Sequence, residues 1–425
     1  SDPRVLGTRL RFTQSVDAIF DGKVPCGGEI TSRFLVGRPR IEDRADLWCP
    51  NTSSGELAGV SAVTTLGRPL FSFSTKWAFS LGASIDIRQR RLYQQSSGRL
   101  ALATRTPDLV HFVPFVYDGR RYESAFSITR SFGTRLKHDI SWGLSSYRRR
   151  YTPPDGFPFD AAIRQWFVQR HLPFHETAAV FGVGYGLRTT SFVRLRNVQG
   201  FALSEDFAIG PSASLGVDFG QNLERSRLSF IALAASLGYR WQLGDDLLTL
   251  SASASTRWQP YLEEEGFTPP WVDSSWGASV RNVSPRIWIG RFHAQAMISM
   301  RDDDLGRGFF SLGGDAGLRG YPNDQFFGDN LLRFNLEYRT LPINLFTLHL
   351  GAVAFYDGGA VFDGPDPNRP GQELPLTYRQ SVGLGIRGHF PQFDRESLRI
   401  DLGFPLSTER GAFSTWFSLS FGQVF

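Results

Sequence analysis

The chain has 425 residues, 41% hydrophobic and 14% aromatic, with a formal net charge of +5. Its mean hydropathy is −0.21, and no run approaches the roughly 20 apolar residues that a membrane-crossing helix needs, which excludes a helical inner-membrane protein. The positive charge is carried almost wholly by arginine, with lysine only at Lys23, Lys76 and Lys137; the arginines are spread along the strand patterns instead of forming one basic face, which argues against a nucleic-acid partner.

In chain order the pattern is a succession of segments alternating with period two. Leu6–Phe20 alternates weakly, with Thr8 and Gln14 on its apolar face and Gly7 within it. A polar loop, 21–54, then holds the only cysteines, Cys26 and Cys49. In an oxidising compartment these are expected to form a disulfide, the alternative being two reduced thiols. The segment 58–66 returns. Between Thr75 and Tyr93 the alternation is clean: Trp77, Phe79, Leu81, Ala83, Ile85 and Ile87 oppose Lys76, Ser80, Ser84, Asp86 and Arg88. One apolar and one polar face over such a length fits a wall between lipid and a polar interior.

Further strands are expected near 109–131 and 136–149, joined by a turn at Gly133. The segment Asp160–His171 reads as a capped helix inside a long loop. Strands follow near 176–197, 210–219, 227–242 and 247–258, then an acidic loop over 259–275, then strands near 276–283 and 286–300. His171 and His175 have no evident third ligand, so no metal site is assigned. No nucleophile–base arrangement or catalytic carboxylate pair is found, and neither a cofactor nor enzymatic activity is expected.

The stretch 312–340 organises the rest. Gly313, Gly314, Gly317, Gly320, Gly328 and Pro322 punctuate a long loop. From Leu331 the alternation becomes strict: Leu332, Phe334, Leu336 and Tyr338 oppose Arg333, Asn335, Glu337 and Arg339. On the next strand Leu348, Leu350, Ala352, Ala354 and Tyr356 share the apolar face, which leaves Phe355 and Asp357 facing the polar interior. Arg387, Arg399 and Asp401 face the same way. Gly383, Gly385 and Gly388 formally fit a dinucleotide fingerprint, but they lie within a strand with no helix to follow, so we read them as room for bulky neighbours. The final strand, Phe413–Phe425, carries Gly422 and ends on Phe425 after an aromatic face. The total is sixteen antiparallel strands, an even number that puts both chain ends on one side.

Leu318-Arg319-Gly320-Tyr321 followed by Phe355-Tyr356-Asp357-Gly358-Gly359 resembles the paired motifs of the BamA/TamA/TpsB superfamily of outer-membrane assembly and secretion barrels. The resemblance covers roughly 312–425. It implies an all-β, transmembrane antiparallel barrel of sixteen strands in the bacterial outer membrane, with the long loop 301–330 folded into the lumen. Arg319, Gly320 and Tyr321 would then anchor on Phe355, Asp357 and Gly359, with Glu337 as a second acidic neighbour. Phe425 would belong to a terminal insertion signal. Gly7 on the first strand and Gly422 on the last would lie at a seam that opens sideways.

The expected function is insertion or folding of outer-membrane proteins; the alternatives are a two-partner secretion pore or a barrel serving as an anchor and interaction platform. Expected partners are outer-membrane lipid and lipopolysaccharide, a client outer-membrane or secreted protein, and periplasmic or lipoprotein subunits. No POTRA-like α/β segment precedes residue 5 and no secretory signal starts the chain. The expectation is therefore one barrel domain over 1–425, from which such domains were removed or which never carried them.

Overall fold

The computed structural model describes residues 10–20, 57–91, 93–94, 99–100, 102–105, 112–114, 116–157, 160–198, 203–262, 270–363, 375–389, 397–406 and 416–421. Gly7, Cys26, Cys49, Gly422 and Phe425 lie outside these residues. Sixteen long strands dominate: β1 (Arg11–Phe20), β2 (Leu57–Arg68), β3 (Trp77–Arg91), β4 (Val116–Phe132), β5 (Leu136–Thr152), β6 (Glu176–Thr189), β7 (Gly210–Asn222), β8 (Phe230–Leu243), β9 (Asp246–Trp258), β10 (Trp271–Val283), β11 (Gly290–Asp302), β12 (Asn330–Thr340), β13 (Leu348–Phe362), β14 (Arg379–His389), β15 (Ser397–Pro405) and β16 (Trp416–Phe421). Each pairs antiparallel with its neighbours in chain order, forming one continuous sheet, with the short strand Ile343–Leu345 added against β13. Connections after odd-numbered strands are mostly long. Those after even-numbered strands are mostly short, as at Gly133, whose φ of 90° suits a tight turn.

The register explains why such long strands are stable. Leu81, Phe126, Leu144, Phe181 and Phe219 are consecutive cross-strand neighbours on β3 to β7. All five are exposed on the same face. An apolar belt of that extent is costly against water and stable against hydrocarbon. The opposite face is polar; on it Asp86 pairs with Arg121 of the adjacent strand at 2.8 Å.

Three segments depart from the expected pattern. The strand near 176–197 stops at Thr189, and Phe192–Arg196 instead pairs with Ser204–Ala208 as a separate β-hairpin. β10 begins at Trp271, so Trp271–Ser275, read in the sequence as loop, is strand. There Val272 pairs with Arg257 and Trp271 with Trp258, after a register shift between Ser255 and Arg257; such a shift hides the alternation from a one-dimensional reading. The stretch expected as one strand near 109–131 carries two, Val116–Phe132 in the main sheet and Phe112–Pro114, which pairs back on Leu102–Arg105.

The helix α1 (Ala161–His171) forms as its cap predicts. The Asp160 carboxylate accepts the Ile163 amide at 2.8 Å, satisfying one of the first-turn donors. Ile163 and Phe167 pack beneath it with Tyr151, Phe157 and Leu172.

Candidate functional site

The site is built where the loop after β11 lies against the polar face of β12 to β15. Within the loop, Phe310–Leu312 pairs with Phe326–Gly328 as a short hairpin. Its apolar side chains have their own small core: Leu312, Leu318 and Tyr321 pack with Leu331 of β12 and Val361 of β13. Between the hairpin arms, Gly317 and Gly320 have φ of 96° and 91°, a left-handed conformation that side chains other than glycine rarely adopt. Those two reversals project Arg319 from the loop tip.

Arg319 is 1% exposed. Its Nε donates to Asp357 Oδ2 at 2.7 Å and its Nη2 to Asp357 Oδ1 at 2.8 Å, a two-pronged pairing. The Arg319 backbone amide donates to the same carboxylate at 3.1 Å. Nη1 donates to Glu337 and lies 3.4 Å from Asp401 Oδ2. The guanidinium carbon stands 3.6 Å from the centroid of the Phe355 ring. Its planar fork thus meets carboxylates at its edge and an aromatic face, a combination an ammonium group cannot reproduce.

Around this pair the charges balance. Arg339 Nε donates to Glu337 Oε2 at 2.6 Å, Arg387 Nη1 to Asp401 Oδ1 at 2.6 Å, and Arg399 to Asp315 of the loop. Four guanidiniums (Arg319, Arg339, Arg387, Arg399) therefore face four carboxylates (Glu337, Asp357, Asp401, Asp315). Asn335 bridges the loop and β13: its Nδ2 donates to Gly317 O at 2.7 Å and Asp357 Oδ1 at 2.8 Å. Burial of this depth is tolerable only because each charge is met by an opposite one and by further hydrogen bonds.

Glycines make the close approach geometrically possible. A Cβ on Gly403 of β15 would lie 2.4 Å from the Gly320 nitrogen, and one on Gly383 of β14 would lie 2.2 Å from a carbon of the Phe355 ring. A Cβ on Gly359 would crowd the Leu332 carbonyl at 2.8 Å and the Leu312 side chain at 3.1 Å. Gly383 and Gly385 thus clear space for strand neighbours, whereas a Cβ on Gly388 would meet nothing closer than 3.7 Å; the returning loop itself rests on Gly403. Tyr321 is buried and its hydroxyl donates to the Gln380 carbonyl at 3.3 Å.

Sequence reasoning named Arg319, Gly320, Tyr321, Phe355, Asp357, Gly359 and Glu337, and the structure brings all seven to one place. It missed Asn335 as a bridge, Asp315 as the partner of Arg399, and Asp401 as a third acid at Arg319. The inward direction of Asn335 and Asp401 was readable from alternation. Their meeting depends on register across β12 to β15, which no single strand records.

A second buried pair was not anticipated. At the long-loop end, Arg257 of β9 meets Glu176 of β6, with Nη1 donating to Oε2 at 3.1 Å, and the Tyr147 hydroxyl donates to the same oxygen at 2.5 Å. Arg257 also stacks 3.4 Å over the Phe230 ring.

An Omp85 superfamily domain model matches residues 209–425, just over half of the chain. The chain belongs to the Omp85 superfamily. Membership, together with the apolar belt, places this Omp85 protein in the bacterial outer membrane. Among solved structures it is similar to BamA from Haemophilus ducreyi lacking POTRA domains 1–3, at 10% identity and a TM-score of 0.44, covering 86% of this chain and 62% of that one. It is also similar to CdiB from Escherichia coli, at 15% identity and a TM-score of 0.39, covering 84% and 58%, and to the FrpB iron transporter from Neisseria meningitidis, at 9% identity and a TM-score of 0.39, covering 83% and 54%. The chain thus spans less than two thirds of each of these structures. No curated protein sequence matches it.

Proposed function

We propose that the sixteen strands close into a barrel, that the loop after β11 occupies its lumen, and that the protein inserts or folds outer-membrane proteins through a lateral seam between β1 and β16. The observation that carries this reading is an asymmetry of anchoring. The buried network ties β12 to β15 and the loop into one block. That block ends at one end of the sheet: among the described residues β16 pairs with β15 and β1 with β2, and the two end strands are not paired with each other. A rigid wall that borders the end of the sheet suits local opening there. On this reading the partners are membrane lipid and lipopolysaccharide, a client protein with exposed strand edges, and periplasmic or lipoprotein subunits that deliver it. We assign no catalytic activity and no cofactor. Cys26 and Cys49 form a disulfide in this scheme, checked by mass spectrometry of non-reduced peptides from intact cells; free thiols would refute it.

The test is a locked seam. In a background with Cys26 and Cys49 replaced by serine, cysteine pairs are scanned between 11–20 and 416–421. A pair that cross-links should abolish client insertion into vesicles, and reduction should restore it. Full insertion by a fully cross-linked barrel would favour the secretion-pore alternative, in which cargo passes through the lumen and the seam stays shut.

A further inference from the structure

The polar face holds a second site that the Arg319 network does not use. At the short-connection end, the hairpin Phe192–Arg196/Ser204–Ala208 folds over the ends of β8 to β11. It is pinned by an apolar cluster of Leu195, Val198 and Phe207 with Leu247 of β9 and Val283 of β10. Beneath it is a cavity lined by Phe207, Arg240, Thr249, Arg281, Val283 and His293, among others, with about 20 Å³ open to the centre of a water molecule. Register places two of the cations: Arg240 of β8 is the cross-strand neighbour of Thr249, and Thr249 is the neighbour of Arg281. The two arginines thus stand two strands apart on one face, about 10 Å between Cα atoms, and both line the same space.

These cations lack the compensation seen at Arg319. Arg240 donates only to neutral acceptors, from Nε to the Thr249 hydroxyl at 3.0 Å and from Nη1 to the Ala208 carbonyl at 3.3 Å. Among the described residues no carboxylate ion-pairs with Arg240, and the Arg281 side chain has neither an ion pair nor a hydrogen bond. His293, 4% exposed, completes the rim. Its cross-strand neighbour Glu337 is the nearest acid in register, and that carboxylate is engaged by Arg319 and Arg339. Cations that converge on a cavity without an anion cost stability unless an anion arrives.

We propose that this cavity binds a phosphate group. Two planar forks flanked by a hydroxyl offer more donors and more positive charge than one carboxylate can use, and a phosphate supplies three or more acceptor oxygens and up to two negative charges. The small volume suits a single phosphoryl group. Free phosphate and the phosphate of a lipid headgroup share this chemistry, so both are tested.

The experiment is thermal unfolding of the whole folded chain in zwitterionic detergent, titrated with inorganic phosphate against sodium chloride at matched ionic strength. A parallel titration uses a short-chain phosphatidic acid, with the matching phosphatidylcholine as control. The site predicts a saturable rise in unfolding temperature with phosphate, because a ligand bound only by the folded state stabilises it by mass action. Arg281→Gln and Arg240→Gln should each lose at least tenfold in phosphate affinity. Arg281→Gln should also be no less stable than the parent without phosphate, since it removes an uncompensated cation. Arg194→Gln, on the exposed side of the hairpin where Arg194 pairs with Asp206, should bind as the parent does. Saturation by phosphatidic acid alone, with the same dependence on Arg281 and Arg240, would assign the phosphate to lipid. An equal response to chloride, a phosphate response that survives both glutamine variants, or no response to either phosphate source would overturn the proposal.

Discussion

Gly403 lies directly under Gly320: a Cβ at position 403 would come 2.4 Å from the Gly320 nitrogen and 2.7 Å from its Cα. Loop and strand backbones are in contact there, and neither can yield as a flexible side chain could. Gly403→Val should therefore lift the loop tip while β15 keeps its register. Limited proteolysis within 303–329 should become several-fold faster, while heat-modifiable gel mobility still reports a folded sheet. Unchanged proteolysis would mean the contact can relax.

The Arg319 network should behave as a buried, coupled unit. At 1% exposure Arg319 belongs to the regime where removing one partner strands the other charge. Asp357→Asn and Arg319→Met should each cost about 3–5 kcal/mol, measured by denaturant unfolding in detergent. The double variant should cost clearly less than the sum of the two, since no unpaired charge then remains between them.

At the opposite end, Glu176→Gln should loosen the junction of β6, β9 and β5. It leaves the Arg257 guanidinium without its carboxylate and weakens the bond from Tyr147. A loss of roughly 2–4 kcal/mol is expected for a charge-assisted buried pair. Hydrogen exchange should rise at 147–151 and 257–259 and stay unchanged at Arg319, which lies in a separate cluster.

A pH effect is expected at the loop after β7. Hydrogen bonds from Arg150 and Thr177 hold the Glu224 carboxyl down to about 2, from an ordinary value of 4.5. A carboxyl depressed on folding contributes stability above its unfolded pKa and loses it as pH falls toward the folded value. Amide exchange around 223–229 should therefore accelerate between pH 4.5 and 2, and Glu224→Gln should flatten that dependence. The residue is exposed, so the change should stay local.

Much of the architecture was legible because the sheet obeys a period of two. Trp77 to Ile87 opposite Ser80 to Arg88 declare both faces of β3, and Leu332 to Tyr338 do the same for β12. Where the alternation is interrupted the reading failed. The chain leaves the sheet at Thr189 without a proline to mark it, so the first arm of the hairpin, 192–196, was absorbed into the strand near 176–197 and the second, 204–208, was assigned to no strand. Trp271–Ser275 followed an acidic stretch and was read as loop. The site was legible to the extent that one strand carries it: Asp357 beside Phe355, Glu337 two residues before Arg339. Asp401 reaching Arg319, or Arg240 sharing a cavity with Arg281, is a property of register across strands. A linear pattern does not contain it.

The central claim is that the Arg319 anchor supports the protein's work on clients as well as its stability. The direct measurement is the rate of outer-membrane client insertion in reconstituted vesicles by Arg319→Ala and Arg319→Lys, each first shown to be folded by heat-modifiable mobility. The account predicts a large loss for alanine and partial recovery for lysine, which restores the charge facing Asp357 and Glu337 but not the fork or the stacking on Phe355. Insertion at the parental rate by the folded Arg319→Ala protein would contradict it and favour the anchor alternative.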